Sequence, residues 1–165
     1  IETIECYKIA LAHKNNPTIM ILGRGNVPTL RTTYDENNSL SAKGGYILSE
    51  VANATINLIS SGSDLAVLKE AQTVLLEKGI KANLISVPFL SKFAENQNYV
   101  KSILGDKKNF IVGTSTMMGW KESLNIQAEV YNMKSFGKSG SESQLMDYFG
   151  FTTEKLVAWI KAKIN

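Results

Sequence analysis

From Ile56 onward, short apolar runs alternate with amphipathic stretches of helical period, each run closed by glycine, proline or small polar residues. This alternation constrains the fold more than any other feature. Strands joined by helical segments of about 10–15 residues make crossover units, and crossover units make a largely parallel sheet. Residues 56–59 form one strand, which ends in Ser60-Ser61-Gly62-Ser63-Asp64. Residues 64–78 read as a helix whose apolar stripe is Val67, Leu68, Ala71, Val74 and Leu75. Gly79 suits the left-handed residue after its end, with Ile80 packing back on Leu75. Residues 81–87 make the next strand, stopped by Pro88, and 89–104 is helical in parts with a weak point at Asn96-Gln97-Asn98. A third strand covers 109–113. Ile126, Ala128 and Val130 alternate with polar residues, as in a strand covered on one face. Ser141-x-x-Gln144 forms a capping box for a short helix stopped by Gly150. Thr152 then caps a last helix, with Phe151 stapled to Leu156 and a buried face of Leu156, Val157, Ile160 and Ile164. The expected class is α/β.

The first 44 residues differ. Residues 1–14 read as a helix with an apolar face of Ile1, Ile4, Cys6, Ile9 and Ala12, ended by Asn15-Asn16-Pro17. The continuous run Thr18–Leu22 predicts a strand buried on both faces. Residues 29–44 are turn-rich and polar and read as a linker, with a domain boundary near Gly44-Gly45. The chain opens on Ile1, without an initiator Met and inside a helical pattern, so we expect a piece of a longer protein.

Composition excludes several classes. The 18 Lys and Arg face 15 Asp and Glu with no basic block, which argues against a nucleic-acid partner. One cysteine forbids an internal disulfide and suits a reducing, cytoplasmic setting. No apolar run approaches the roughly 18 residues of a membrane span.

Candidate chemistry is sparse. Arg24, expected just past the carboxyl end of a buried strand and flanked by Gly23 and Gly25, suits a phosphate or carboxylate. The alternative is an ordinary loop arginine. The Ser60–Asp64 loop leads from a strand into a helix and has the backbone donors to hold an anion, but Asp64 would repel a phosphate, and a helix cap is the simpler reading. His13 complements a helix end, and Cys6 packs on its helix's buried face. Trp120 and Trp159 read as core or interface anchors. Gly137-Lys138-Ser139 lacks the upstream glycine of a phosphate loop. No nucleophile–base pair, carboxylate pair or metal-ligand cluster is evident from the sequence.

Several segments together carry a family resemblance. Residues 56–71, then Lys78-Gly79-Ile80-Lys81 through Pro88, then Ser135-Phe136-Gly137-Lys138-Ser139-Gly140 and Tyr148-Phe149-Gly150-Phe151-Thr152 resemble the C-terminal domain of transketolases. Residues 16–28 resemble the last strand of that family's pyrimidine-binding domain, and Gly44–Leu48 its entry to the C-terminal domain. The family's Ser-Arg-Gln is here Gly23-Arg24-Gly25, and its Glu-Ala after the third strand is Gly113-Thr114. The resemblance implies a three-layer α/β sandwich over 45–165, preceded by a 29–44 linker and a 1–28 tail of the pyrimidine-binding domain. It implies a parent enzyme that uses thiamine diphosphate and Mg to move two-carbon ketol units between phosphorylated sugars, acting as a cytoplasmic homodimer. Arg24 would hold the substrate phosphate. No catalytic, cofactor or metal residue is assigned within this piece, which alone would be inactive and serve subunit packing and the channel rim. A free-standing α/β module binding a small anion or nucleotide is the alternative.

Overall fold

The computed structural model describes every residue except 36, 116, 118 and 165. Its elements are α1 (Glu2–Ala12), a 3-10 turn (Leu40–Lys43), β1 (Tyr46–Ser49), β2 (Ile56–Ser60), α2 (Asp64–Glu77) and β3 (Ala82–Ser86). Then follow α3 (Leu90–Ala94), α4 (Gln97–Leu104), β4 (Lys108–Gly113), α5 (Trp120–Ser123), β5 (Ala128–Asn132), α6 (Glu142–Phe149) and α7 (Thr153–Ile164). The sheet runs β1-β3-β2-β4-β5, with β2, β3, β4 and β5 parallel and β1 an antiparallel edge.

The central strands are apolar throughout because both faces are covered. Leu58, Leu84 and Phe110 join Leu68, Leu75, Leu156 and Ile160 of α2 and α7 in one core. Their neighbours Ile59, Ile85 and Ile111 point the other way, to Phe93, Val100 and Leu104 of α3 and α4. The result is the expected three-layer α/β sandwich with a mostly parallel sheet. The α2 crossover leads from β2 to β3, whereas the α3–α4 crossover returns past β2 to β4. The strand order therefore reverses between β2 and β4, and a crevice opens at their carboxyl ends.

Local signals behave as their chemistry dictates. Gly79 takes φ +77°, and the Ile80 N–H bonds the Leu75 carbonyl at 2.9 Å, closing α2. Asn96 caps α4 by accepting from the Tyr99 N–H, which splits 89–104 into two helices. The Ser141–Gln144 capping box forms, and Gly150 ends α6 at φ +84°. The antiparallel β1 was not anticipated; its four residues, Tyr46-Ile47-Leu48-Ser49, are too few to show a strand period.

The N-terminal readings need correction. Residues 18–22 join no strand of the sheet, and Ile19 and Ile21 are 87% and 94% exposed. An apolar run becomes a strand only where a neighbouring strand takes its backbone hydrogen bonds, and among the described residues none pairs with it. Helix α1 is shorter than 1–14, and its expected apolar face is only partly covered: Ile1, Cys6 and Ile9 are half-buried and Ile4 is 57% exposed, whereas Glu5 is 1% exposed. Within 29–44, Leu30 packs on the α2–α7 core and Ser41 is fully buried, so both ends of this stretch are anchored.

Candidate functional site

Arg24 sits on a bend between Gly23 and Gly25, exposed, with no hydrogen-bond or ion-pair partner among the described residues. It does not follow a strand of this sheet, so the positional argument for it fails here. The carboxyl edge carries the Ser60–Asp64 loop and Thr114 instead. A cleft of about 410 Å³ nevertheless brings the two candidate loops together, for Gly23 and Gly25 line it on one side and Gly62 and Ser63 on another.

The loop before α2 is not an anion cradle. Ser63 makes no side-chain cap, and the Asp64 carboxylate, 8% exposed, crosses the crevice to the end of β4. It accepts the Thr114 N–H and the Thr114 hydroxyl, both at 2.8 Å. Burial raises the Asp64 pKa above the ordinary carboxylate range, opposed only in part by those two bonds. The switch-point crevice is thereby filled by an Asp–Thr pair. Sequence reasoning singled out Asp64 and Thr114 separately but missed their pairing, because the partners lie fifty residues apart.

A second polar cluster was also missed. Glu2 accepts from the Tyr46 hydroxyl at 2.7 Å and from the Ser86 hydroxyl. One turn later, Glu5 Oε2 accepts from the Ser41 N–H at 3.0 Å and the Ser41 hydroxyl at 2.6 Å, and pairs with Arg31 at 2.7 Å. The Arg31 guanidinium also lies over the Tyr46 ring, 5.0 Å from its centroid. Burial pushes the Glu5 carboxyl upward, but Arg31 and Ser41 outweigh it and hold its pKa below the usual value. Burial and the Glu2 charge raise the Tyr46 pKa far above that of a free phenol, so this hydroxyl remains a donor.

The remaining candidates are accounted for. His13 is the C-cap of α1, with Nδ1 3.5 Å from the Thr18 hydroxyl. Cys6 is half-buried, and burial with Glu2 raises its thiol pKa. Trp159 packs edge-on against Phe110 at 5.5 Å and leans on Tyr131, as a core anchor should. Trp120 packs against the α3–α4 core. Lys138 rests over the Tyr148 ring at 4.5 Å. Among the described residues, no group of His, Cys, Asp or Glu has the arrangement to hold a metal ion. At the loop from β2 into α2, the Asp64 carboxylate stands where a diphosphate would need donors, so the described residues of that loop do not fit one.

Residues 44–152 match the model of the transketolase-like C-terminal domain. The chain belongs to the transketolase family. It is 33% identical over 161 residues to a transketolase of Sinorhizobium medicae, covering 96% of this chain and 23% of that protein. It is 32% identical to a transketolase of Kluyveromyces lactis, covering 98% of this chain and 24% of that protein. A transketolase variant of Pichia stipitis in complex with fructose 6-phosphate superposes with TM-score 0.85 at 29% identity, over 98% of this chain and 23% of that one. The chain thus spans about a quarter of the length of the transketolases it matches. The match also runs through residues 1–43, beyond the C-terminal domain itself.

Proposed function

We propose that this chain is the C-terminal quarter of a transketolase that transfers two-carbon ketol units between phosphorylated sugars, and that Arg24 grips the substrate phosphate. The observation that carries the Arg24 assignment is its state in the structure: an exposed arginine between two glycines that line the cleft, without a partner among the described residues. An arginine held in an internal ion pair, as Arg31 is, has no free fork to offer a phosphate. Thiamine diphosphate and its metal are assigned to the rest of the enzyme, since no group of the described residues has the arrangement to hold a metal ion. Residues 1–28 belong to the domain before the linker, and 45–165 serves subunit packing in a cytoplasmic homodimer. Support for this reading comes from the sugar phosphate in the related Pichia stipitis structure. An independent anion-binding module is disfavoured, because the buried Asp64 faces the loop that would have to hold the anion.

Arg24→Ala in the full-length enzyme tests the assignment. Loss of a charge-assisted contact should lower kcat/KM for phosphorylated sugars by about ten- to a hundredfold. The loss for a donor without phosphate, such as hydroxypyruvate, should be much smaller. Equal losses for both kinds of donor, or no loss at all, would remove Arg24 from the phosphate site.

A further inference from the structure

Arg24 stands on a stretch of chain that leaves α1 after Ala12 and returns to the domain at Leu30 and Arg31. Both ends of that stretch are tied to the same place. Glu5 of α1 pairs with the Arg31 guanidinium at 2.7 Å, and its Oε2 also accepts from the Ser41 N–H and hydroxyl. One turn earlier, Glu2 accepts from the Tyr46 hydroxyl of β1 and the Ser86 hydroxyl of β3. Leu30 packs on the α2–α7 core, and Arg31 lies over the Tyr46 ring. One ion pair thus closes the root of the stretch on itself, and its neighbours fasten that root to the sheet.

Stability alone does not ask for such a closure. Glu5 is 1% and Arg31 10% exposed, yet Glu5 Oε1 and Arg31 Nε have no hydrogen-bond partner among the described residues. Desolvating two charges without satisfying all their polar atoms recovers little, and apolar side chains of similar volume would hold the segment as firmly. An ion pair with directional hydrogen bonds adds register, because it specifies which turn of α1 meets which residue of the returning chain. Arg31 and Ser41 hold the Glu5 pKa below its ordinary value against the effect of burial, so the pair is charged at neutral pH. From Leu30 back to Arg24 is six residues, at most about 20 Å of chain, with φ fixed on the way at Pro28. Glu2, Leu30, Arg31 and Tyr46 also line the same cleft of about 410 Å³ as Gly23 and Gly25.

We propose that the Glu5–Arg31 ion pair positions Arg24 for the substrate phosphate, a role that rests on Arg24 holding that phosphate. Glu5 and Arg31 are positioning residues and touch no substrate themselves, since the Arg31 fork is taken by Glu5. Their effect therefore passes through Arg24 and is confined to substrates that carry phosphate.

Arg31→Met in the full-length enzyme keeps the bulk of the side chain and removes its charge. It should raise KM for fructose 6-phosphate, the ligand of the related Pichia stipitis structure, about tenfold with kcat nearly unchanged. With hydroxypyruvate as donor and an aldehyde acceptor that carries no phosphate, the kinetics should not change. Once Arg24 is replaced by Ala, Arg31→Met should cost nothing further. Glu5→Gln, a milder change, should show the same selectivity and carries the test if Arg31→Met fails to fold. Equal losses with and without phosphate, no loss, or a loss that adds to that of Arg24→Ala overturns the proposal. Arg24→Ala, measured alongside, separates the two assignments. If it shows no phosphate selectivity, the Arg24 reading falls and takes the positioning role with it. If it is selective while Arg31→Met and Glu5→Gln are silent, only the positioning role falls.

Discussion

Asn57 donates from its side-chain amide to the Asn109 side-chain carbonyl at 2.9 Å, across two paired strands at the centre of the sheet. Asn83, its partner on the other side, completes a row of three buried asparagines in register on β3, β2 and β4. Asn57 also donates to the Leu104 carbonyl at 2.8 Å, and Asn83 accepts the Val51 N–H at 3.0 Å. A slip of one residue in any of these strands would push an amide into the opposite apolar layer. The row therefore fixes register where uniformly apolar strands cannot.

Replacing Asn57 by Leu removes the donor that the Asn109 side-chain carbonyl and the Leu104 carbonyl now share. We expect a loss of about 1–3 kcal/mol in urea unfolding. Changing Asn57, Asn83 and Asn109 to Leu together should cost less than the sum of the single changes, because fewer orphaned groups remain. A strictly additive triple variant would show that the asparagines do not act as one network.

Asp64 gives a pH signature. Its folded pKa is raised, so its contribution is fully present below the unfolded pKa and is lost as pH rises through the folded value. Between about pH 4 and neutrality, the unsubstituted chain should therefore lose stability relative to Asp64→Asn. Asn retains an acceptor for the Thr114 N–H. Asp64→Ala leaves that N–H unpaired and should be less stable than Asp64→Asn by about 1–3 kcal/mol at all pH values. Thermal unfolding across this range decides it, and parallel curves for the unsubstituted chain and Asp64→Asn would contradict the assignment.

Limited trypsin digestion should cut first after Lys14 and Arg24, which are exposed in unpaired backbone, and later after Arg31, which is held by Glu5. The resistant fragment should begin at Thr32, because trypsin finds no Lys or Arg between Arg31 and Lys43, and Ser41, close to Lys43, is buried. Within 29–44, exposure concentrates at Thr32–Asp35 and Asn37–Asn38. A first cut inside α2 would contradict this order.

Calorimetric titration of the 165-residue chain with thiamine diphosphate and Mg should show no saturable binding, and the chain should transfer no ketol units. Micromolar binding would locate part of the cofactor site within these residues and revise the proposed division of labour.

The order of strands and helices after residue 55, the short α5 apart, the Gly79 and Gly150 stops, the Ser141 box and the apolar layers were legible from the sequence, because each depends on neighbours a few residues apart. Arg24 was legible as an arginine between glycines, but not as one lacking a strand of this sheet behind it. The apolar run Thr18–Leu22 has strand composition whether or not a neighbouring strand exists, and only the tertiary structure shows that none of the described residues pairs with it as a strand. The buried Glu5 of α1, the Asp64–Thr114 pair and the asparagine row were decided by tertiary structure alone. Each joins polar groups from distant segments, and the energy that makes a buried carboxylate tolerable resides in partners that local sequence does not name. Periodicity told which faces are apolar; only the folded chain could tell which face each element buries.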